Sequence, residues 1–452
     1  MRALRFLVSA SITLLGLSLA AQAQSVDPPL SLSTVTTGIA LPTTMGFVAP
    51  NDILVLQKND GQVRRVLNGT LQPAPVLDVA VNASSERGLL GIAVNTQSPP
   101  DVFLFYTEAA VDGGAPLGNR VYRYDWNPTT AQLENPTLLL DLPVLPGPNH
   151  DGGILVLGPP GELPGVADGA LLYAVIGDLN LNGQTQNNAA GPAPDDSSVI
   201  LRIQQDGSPV PANPFTPYCS VTTTTTCTSD LDCPGGEVCE TQVMDYYAYG
   251  VRNSFGMALD PVTGALWDTE NGPGTDDEIN RVDAGFNSGW RDVMGPAASL
   301  PPPGLFDMPG AGNTYSDPEF TWFDTNAPTA IVFPNGSGLG PSFDDQALVA
   351  DSNAGQIYAF PLNPARDGFD FSAFPALTDL VADDNTERDL LRIASGFGSI
   401  TDLKIGPDGD LYVVSIGVGA IYRLPEPGRR VGLAAGALCV LALCWRRRPS
   451  HA

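Results

Sequence analysis

Six times between residues 53 and 424 the chain runs through alternating apolar and polar positions, turns sharply, and returns in a second run holding Arg or an aromatic residue among apolar ones. The six stretches are "ILVLQKNDGQVRRV" (53–66), "VFLFYTE" to "NRVYRY" (102–124), "LLYAVIGD" to "SVILRI" (171–203), "ALWDTENG" to "DEINRV" (265–282), "ALVADSNAGQIYAF" (347–360) and "DLYVVSIGVGAIYRL" (410–424). A period of two places successive side chains on opposite faces of a strand, so each stretch predicts a β-hairpin. Turns such as "GPPG" (158–161), "DPVTG" (260–264) and "GPDG" (406–409) precede several of them. Away from the two ends, no stretch sustains a helical period. A β-sandwich does not require six copies of one unit, whereas a propeller does. The expected fold is therefore all-β, a six-bladed β-propeller with a Cys-rich loop insertion. Blades of about 67 residues exceed the minimal size and predict long connecting loops.

The two ends read differently. Met1–Ala23 carries Arg2 and Arg5, an apolar run from Phe6 to Leu19, and Ala21-Gln22-Ala23, the pattern of a secretory signal peptide. The run is short for a bilayer span. At the other end Pro425-Glu426-Pro427 precedes an apolar stretch from Val431 to Trp445 and then Arg446-Arg447-Arg448. Basic residues on that flank hold the main domain outside. This tail resembles the PEP-CTERM sorting signal, whose partner is a membrane sorting protease; a plain tail anchor is the other reading. The expected organisation is a signal peptide over 1–23, the propeller over 24–427 and a sorting or anchor segment over 428–452. Its expected location is exported: periplasm, cell surface or extracellular.

Charge narrows the partners. The whole chain has 49 acidic and 22 basic side chains, a net charge of −27, and the two ends hold seven arginines and no acid. So acidic a region between them argues against nucleic acid and anionic membranes and attracts divalent cations. Cys219, Cys227, Cys233 and Cys239 crowd the insert "CSVTTTTTCTSDLDCPGGEVC". In an exported chain they predict two disulfides, with three pairings open. Zinc fits less well, since the spacings lack C-x-x-C and no His is nearby. Cys439 and Cys444 lie in the apolar tail.

Candidate chemistry gathers in three places. His150, in "GPNHDGG" (147–153), is the one histidine between the ends, and it sits in a glycine-rich loop before a strand. Asp178 closes "IGD" at the end of the next strand. A carboxylate bonded to one imidazole nitrogen orients the other as a general base. Arg252 and Asn253, in "YGVRNSFGMALDPVTG" (249–264), precede another strand and can present charge and an amide to a ligand. "TENGPGTDDEIN" (269–280) turns on Gly-Pro-Gly beside Glu270, Asp276, Asp277 and Glu278. Such carbonyls and carboxylates suit calcium, which takes six to eight oxygen ligands in irregular geometry; a solvated acidic turn is the plainer alternative.

"ERGLLGIAV" (86–94), "NHDGG", "LLYAVIGD", "ILRIQQDGSPVPANPF" (200–215), "YAYGVRNSFGMALDPVTGALWDTENGPGTDDEINRVDAGFNSGW" (247–290) and "ITDLKIGPDGDLYVV" (400–414) follow one another in a known order. Over nearly all of residues 35–424 the chain resembles the PQQ-dependent soluble glucose and aldose sugar dehydrogenases, the glucose/sorbosone dehydrogenase family. The resemblance implies a six-bladed propeller that oxidises a sugar hydroxyl with PQQ and calcium. It implies His150 as base, Asp178 as its partner, Arg252 beside the quinone oxygens, Asn253 on the cofactor and Glu86 on the substrate. The carbonyls of Gly272 and Pro273 match ligands of the cofactor's calcium, and Glu278 and the Ser288 carbonyl match a structural calcium. The family grips PQQ's three carboxylates with one Lys and two Arg; those positions here are Asn353, Ser399 and Thr401. Two expectations follow: a dehydrogenase acting on a small sugar or other small alcohol, or a cofactor-less calcium-binding propeller serving in carbohydrate binding or adhesion.

Overall fold

In the computed structural model the described residues are 24–425, apart from 166–167, 182–185, 188–192, 301 and 310–314. The expected signal peptide over 1–23, the residues beyond Pro425, Cys439 and Cys444 lie outside them. Six antiparallel sheets make up the fold. Blade 1 comprises Pro42–Ala49, Asp52–Gln57 and Gln62–Leu67, with Thr70–Leu71 and Leu77–Asp78 at its rim. Blade 2 is Leu89–Val94, Asp101–Ala109, Pro116–Asn127 and Gln132–Leu142. Blade 3 is Leu155–Leu157, Leu172–Ile176, Val199–Ile203 and Tyr246–Tyr249. Blade 4 is Ser254–Leu259, Leu266–Glu270, Thr275–Val282 and Phe320–Asp324, joined in parallel by Val381–Ala382. Blade 5 is Pro328–Val332, Gln346–Asp351, Ile357–Pro361 and Arg392–Ser395, with Ser25–Val26 at its edge. Blade 6 takes Ile400–Ile405, Leu411–Ser415 and Ala420–Leu424 from the end of the chain and its fourth strand, Ser33–Thr37, from the beginning.

Each predicted hairpin is the second and third strand of one blade. The first strands surround the axis: Thr44, Ile92, Leu155, Met257, Ile331 and Lys404, one from each blade, line a single central cavity. Close approach there constrains the sequence. A Cβ on Gly91 would lie 1.9 Å from the carbonyl oxygen of Gly153, so only glycine lets blades 2 and 3 meet. Farther out the blades adhere through apolar faces. Between blades 4 and 5, Trp267, Phe320, Trp322, Phe360, Phe369 and Phe371 form one buried aromatic cluster. Fully burying one such ring contributes roughly 1.5–3 kcal/mol.

The Cys-rich insert joins the third and fourth strands of blade 3, and of the three open pairings the structure has Cys219–Cys233 and Cys227–Cys239. All four sulfurs are in disulfides, which leaves no thiolate for zinc. Loops of 14 and 12 residues are thereby closed, each bond contributing about 3 kcal/mol through the unfolded chain. One four-residue α-helix, Asn385–Arg388, escaped the sequence reading; Asp384 caps it by accepting from the backbone N–H groups of Thr386 and Glu387.

Because first and second strands are antiparallel, each first strand starts where its second strand ends. Ser254 pairs with Glu270, Pro328 with Asp351 and Ile400 with Ser415. The loops entering first strands and leaving second strands therefore crowd one face, called here the upper face. The turns joining first to second strands form the lower face.

Candidate active site

His150 lies in the loop that enters blade 3, and Asp178 follows the second strand of that blade. Gly177 permits their approach, since a Cβ there would lie 2.4 Å from the Arg252 carbonyl oxygen and 2.6 Å from that of His150. His150 itself adopts φ 63°, a left-handed conformation unusual for a residue with a side chain. Such strain persists where the surroundings over-determine it, commonly at functional sites. His150 Nδ1 lies 2.5 Å from Asp178 Oδ1. Trp290 Nε1 donates to Asp178 Oδ2 at 2.7 Å, and the Asn180 backbone N–H donates to Oδ1 at 3.0 Å. Burial favours the neutral acid at Asp178, but the bonds to His150, Trp290 and Asn180 outweigh it and hold the carboxyl below its usual range. An ionised Asp178 fixes the proton of His150 on Nδ1 and leaves the Nε2 lone pair available.

Arg252, Asn253 and Glu86 close round this pair. The Asp178 backbone N–H donates to the Arg252 carbonyl at 2.9 Å. Arg252 Nη1 donates to the Asn271 carbonyl at 2.5 Å, and its guanidinium lies 5.1 Å over the Trp290 ring. Glu86 Oε2 accepts from the His150 backbone N–H at 2.6 Å and from Asn253 Nδ2 at 3.3 Å. Two atoms remain without partners although buried: Arg252 Nε and Asn253 Oδ1. A buried donor and acceptor left open at one place are costly, and a ligand satisfies them.

Beside Glu86 opens a cavity of ≈ 230 Å³. Leu90, Ile154, Phe255 and Ile416 give it an apolar wall, while Lys58, Thr329, Ser352 and Thr401 bring an ammonium and hydroxyls. A flat aromatic quinone with several carboxylates needs these features together: an apolar wall, donors and positive charge. Glu86 joins this cavity to the cluster that holds the open Arg252 Nε and Asn253 Oδ1, and the residues present fit PQQ.

The loop of residues 269–280 is divided in its roles. Asp277 accepts from the backbone N–H groups of Gly272, Asn326 and Ala327 at 2.8, 2.6 and 2.7 Å, which ties the loop to the start of blade 5. Glu270 and Glu278 stand opposite each other in the strand register, and Asp268 lies two residues from Glu270 on the same face. All three are buried, and among the described residues no Lys or Arg pairs with any of them. Burial pushes Asp268 up to about 7 and Glu270 up to about 8, and drives Glu278 well above its usual value; each neighbouring acid adds to the shift. Ser288 Oγ donates to Glu270 Oε2 at 2.9 Å, which brings Ser288 and Glu278 into one neighbourhood. The carbonyls of Gly272, Pro273 and Ser288 accept no hydrogen bond among the described residues. No three described acids bring their oxygens within 4.8 Å of one another, so a cation here takes carbonyls as well as carboxylates. An all-oxygen set of this kind fits calcium.

The structure thus gathers His150, Asp178, Arg252, Asn253 and Glu86, and puts Gly272, Pro273, Glu278 and Ser288 in the adjoining loops of blade 4. Thr401 lines the cavity; Asn353 is exposed and donates to the Thr325 carbonyl at 3.3 Å. Sequence reasoning missed three residues. Trp290 stood at the end of the long motif without a role, Asp268 was one acid among many, and Lys58 lay within the first hairpin.

The sequence matches the family described as Glucose / Sorbosone dehydrogenase over residues 39–224 and 235–423, and the gap falls inside the Cys-rich insert. It is 25% identical over 388 residues to aldose sugar dehydrogenase YliI of Escherichia coli (strain K12), covering 83% of this chain and 86% of that protein. It is 28% identical over 268 residues to quinoprotein glucose dehydrogenase B of Acinetobacter calcoaceticus, covering 54% of this chain and 49% of that protein. Among solved structures, the PQQ-bound aldose sugar dehydrogenase of Streptomyces coelicolor superimposes with a TM-score of 0.60 at 24% identity, over 89% of this chain and 98% of that one.

Proposed function

The chain belongs to the glucose/sorbosone dehydrogenase family of oxidoreductases, and from that premise we propose that it is an exported quinoprotein oxidising the C1 hydroxyl of an aldose, with PQQ and calcium. The observation that carries the reading is the hydrogen-bond chain Trp290–Asp178–His150, clustered with the open Arg252 Nε and Asn253 Oδ1 and joined through Glu86 to the cavity that Glu86 lines. Asp178 holds His150 in the tautomer whose Nε2 accepts a proton, so His150 removes the proton of the C1 hydroxyl. Glu86 fixes the His150 loop through its backbone N–H and presents its remaining carboxylate oxygen toward a polar substrate. Arg252 offers fixed positive charge where negative charge develops, and Asn253 supplies an amide. The carbonyls of Gly272 and Pro273 would hold one calcium, and Glu278 with the Ser288 carbonyl a second. When bound, PQQ supplies the two-electron acceptor and calcium polarises it.

Purified protein given PQQ and calcium is expected to reduce an artificial dye in the presence of an aldose. His150→Ala should lower that rate at least 100-fold, the scale of general-base catalysis. Failure of saturating PQQ to give either a spectral change or turnover would overturn the reading. The second reading, a cofactor-less carbohydrate-binding propeller, is favoured by one observation: Asn353, Ser399 and Thr401 stand where the family carries cations. It then predicts sugar binding without dye reduction.

A further inference from the structure

In 452 residues the chain uses lysine twice, at Lys58 and Lys404. Both line the central channel: Lys58 borders the cavity beside Glu86, and Lys404 borders the axial cavity below it. On a surface this acidic, scattered lysines would serve solubility; these two are instead placed on the axis.

Lys58 occupies a repeated station. "LVLQKNDGQV" (54–63) aligns without a gap on "LVADSNAGQI" (348–357), each closing the second strand of its blade and turning into the third. The alignment sets Lys58 on Ser352, and both line the same cavity. Asp178 and Gly272 come from the corresponding loops of blades 3 and 4. The ammonium is half-buried: Nζ donates to the Ser85 carbonyl at 2.7 Å and reaches Asn59 Oδ1 at 3.5 Å. Among the described residues no carboxylate lies within ion-pairing distance of it. Burial lowers its pKa, with Glu86 and Asp151 opposing the shift.

Blades 5 and 6 bring no charge to match it. Thr401 Oγ1 donates to the Pro42 carbonyl at 3.1 Å, and the Asn353 amide is turned to the Thr325 carbonyl. That same Thr401–Pro42 bond joins blade 6 to blade 1, so the cavity walls bearing Thr401 and Lys58 are neighbours round the ring.

We propose that Lys58 grips a carboxylate of the bound quinone, and that this chain has moved its cofactor-anchoring cation from blades 5 and 6 to blade 1. The inference rests on the quinoprotein reading. An ammonium with one strong bond, no ion-paired carboxylate among the described residues and a place on the cavity wall is the contact a polycarboxylate requires.

The test is binding rather than turnover: PQQ is titrated into the calcium-loaded full-length protein and followed by quenching of tryptophan fluorescence. Lys58→Gln is expected to raise the Kd about 10- to 100-fold, the effect of losing one charge-assisted bond, and to weaken its salt dependence. Lys58→Arg should stay within a few-fold of wild type. Adding Thr401→Arg to Lys58→Gln should restore affinity by returning a cation to the neighbouring wall. The calcium-dependent rise in melting temperature reports folding and should be the same in every variant. Wild-type affinity in Lys58→Gln would overturn this assignment and leave the quinoprotein reading standing. Absence of quenching in the wild type would overturn both. Should Lys58→Gln lose the calcium response, Lys58→Arg decides: a Kd within a few-fold of wild type with the same salt dependence supports Lys58 as the anchor, and a Kd at least tenfold weaker in a variant that keeps the calcium response overturns it.

Discussion

Buried carboxylates occur at both faces of the propeller, and they are treated in opposite ways. On the lower face each has its own arginine. Arg65 Nε and Nη2 meet Asp52 at 2.7 and 2.6 Å, Arg366 Nε and Nη2 meet Asp260 at 2.8 Å each, and Arg423 Nε meets Asp410 at 2.5 Å. On the upper side of blade 4, Asp268, Glu270 and Glu278 are as deeply buried and have no such partner among the described residues. The lower pairs lie in the turns joining first to second strands, where their work is to fix the repeat. An uncompensated buried carboxylate is strongly unfavourable, and a fold keeps one where a proton or a ligand supplies the missing charge. The lower-face pairs therefore carry their counter-charge within the chain, and the three acids on the upper side of blade 4 take it from outside.

Breaking a lower-face pair gives the largest expected effect. Arg366→Met strands Asp260 in a buried turn and should destabilise the protein by about 3–5 kcal/mol. At Asp260 burial raises the pKa, but the bidentate bond to Arg366 outweighs it and the net shift is downward. A depressed folded pKa gives stability that is present above the unfolded value and is lost as pH falls through the folded one. The gap between wild type and variant in denaturant titrations should therefore be full at neutral pH and shrink in acid. A gap that does not change with pH would show that lost packing, not lost charge, is its cause.

Glu278→Gln probes the upper face and should act with the opposite sign. In chelator it removes one of two facing buried acids, so the variant should melt at or above the wild type. With calcium at about 100 times its Kd, the wild type should gain about 2.7 kcal/mol, roughly 3 °C for a chain of this size. The variant should lose that gain for the structural ion. If Glu278→Gln instead melts lower than wild type in chelator, as the Arg366 variant does, the contrast between the faces fails.

The same contrast explains what was legible in the sequence. The second and third strands of each blade are regular, with a tight turn between, and all six hairpins could be read. The first strands could not: Ser254–Leu259 reads "SFGMAL", without alternation, because the channel lies on one edge and the next blade on both faces. His150, Asp178, Arg252 and Glu86 were found through motifs lying within or near one blade. Lys58 and Trp290 were not, because ring closure and the loop after blade 4's third strand give them their roles. Residues 42 and 401 meet only when the first blade packs on the last. The disulfide pairing was equally closed to sequence, since all three connectivities fit the spacing.

Trp290 offers the finest test, because at Asp178 the upper face supplies partners of its own. The indole N–H and the imidazole N–H share one buried carboxylate, each on its own oxygen. Trp290→Phe keeps an aromatic ring under Arg252 while removing one donor. A hydrogen bond to a charged group contributes about 1.5–3 kcal/mol, so the variant should lose stability on this scale or less. The sign with pH follows from Asp178, whose folded pKa the bonds hold below its usual range against burial. With one bond gone that pKa rises, so the carboxylate's stabilising share is lost at higher pH on acidification. The two proteins should therefore differ most near neutrality and converge in acid, where Asp178 is protonated in both. Protonation of Asp178 also frees the His150 tautomer, so the acid limb of dye reduction should shift to higher pH in the variant. An acid limb that stays in place while stability falls would make Trp290 a packing residue and leave His150 and Asp178 to act as a pair.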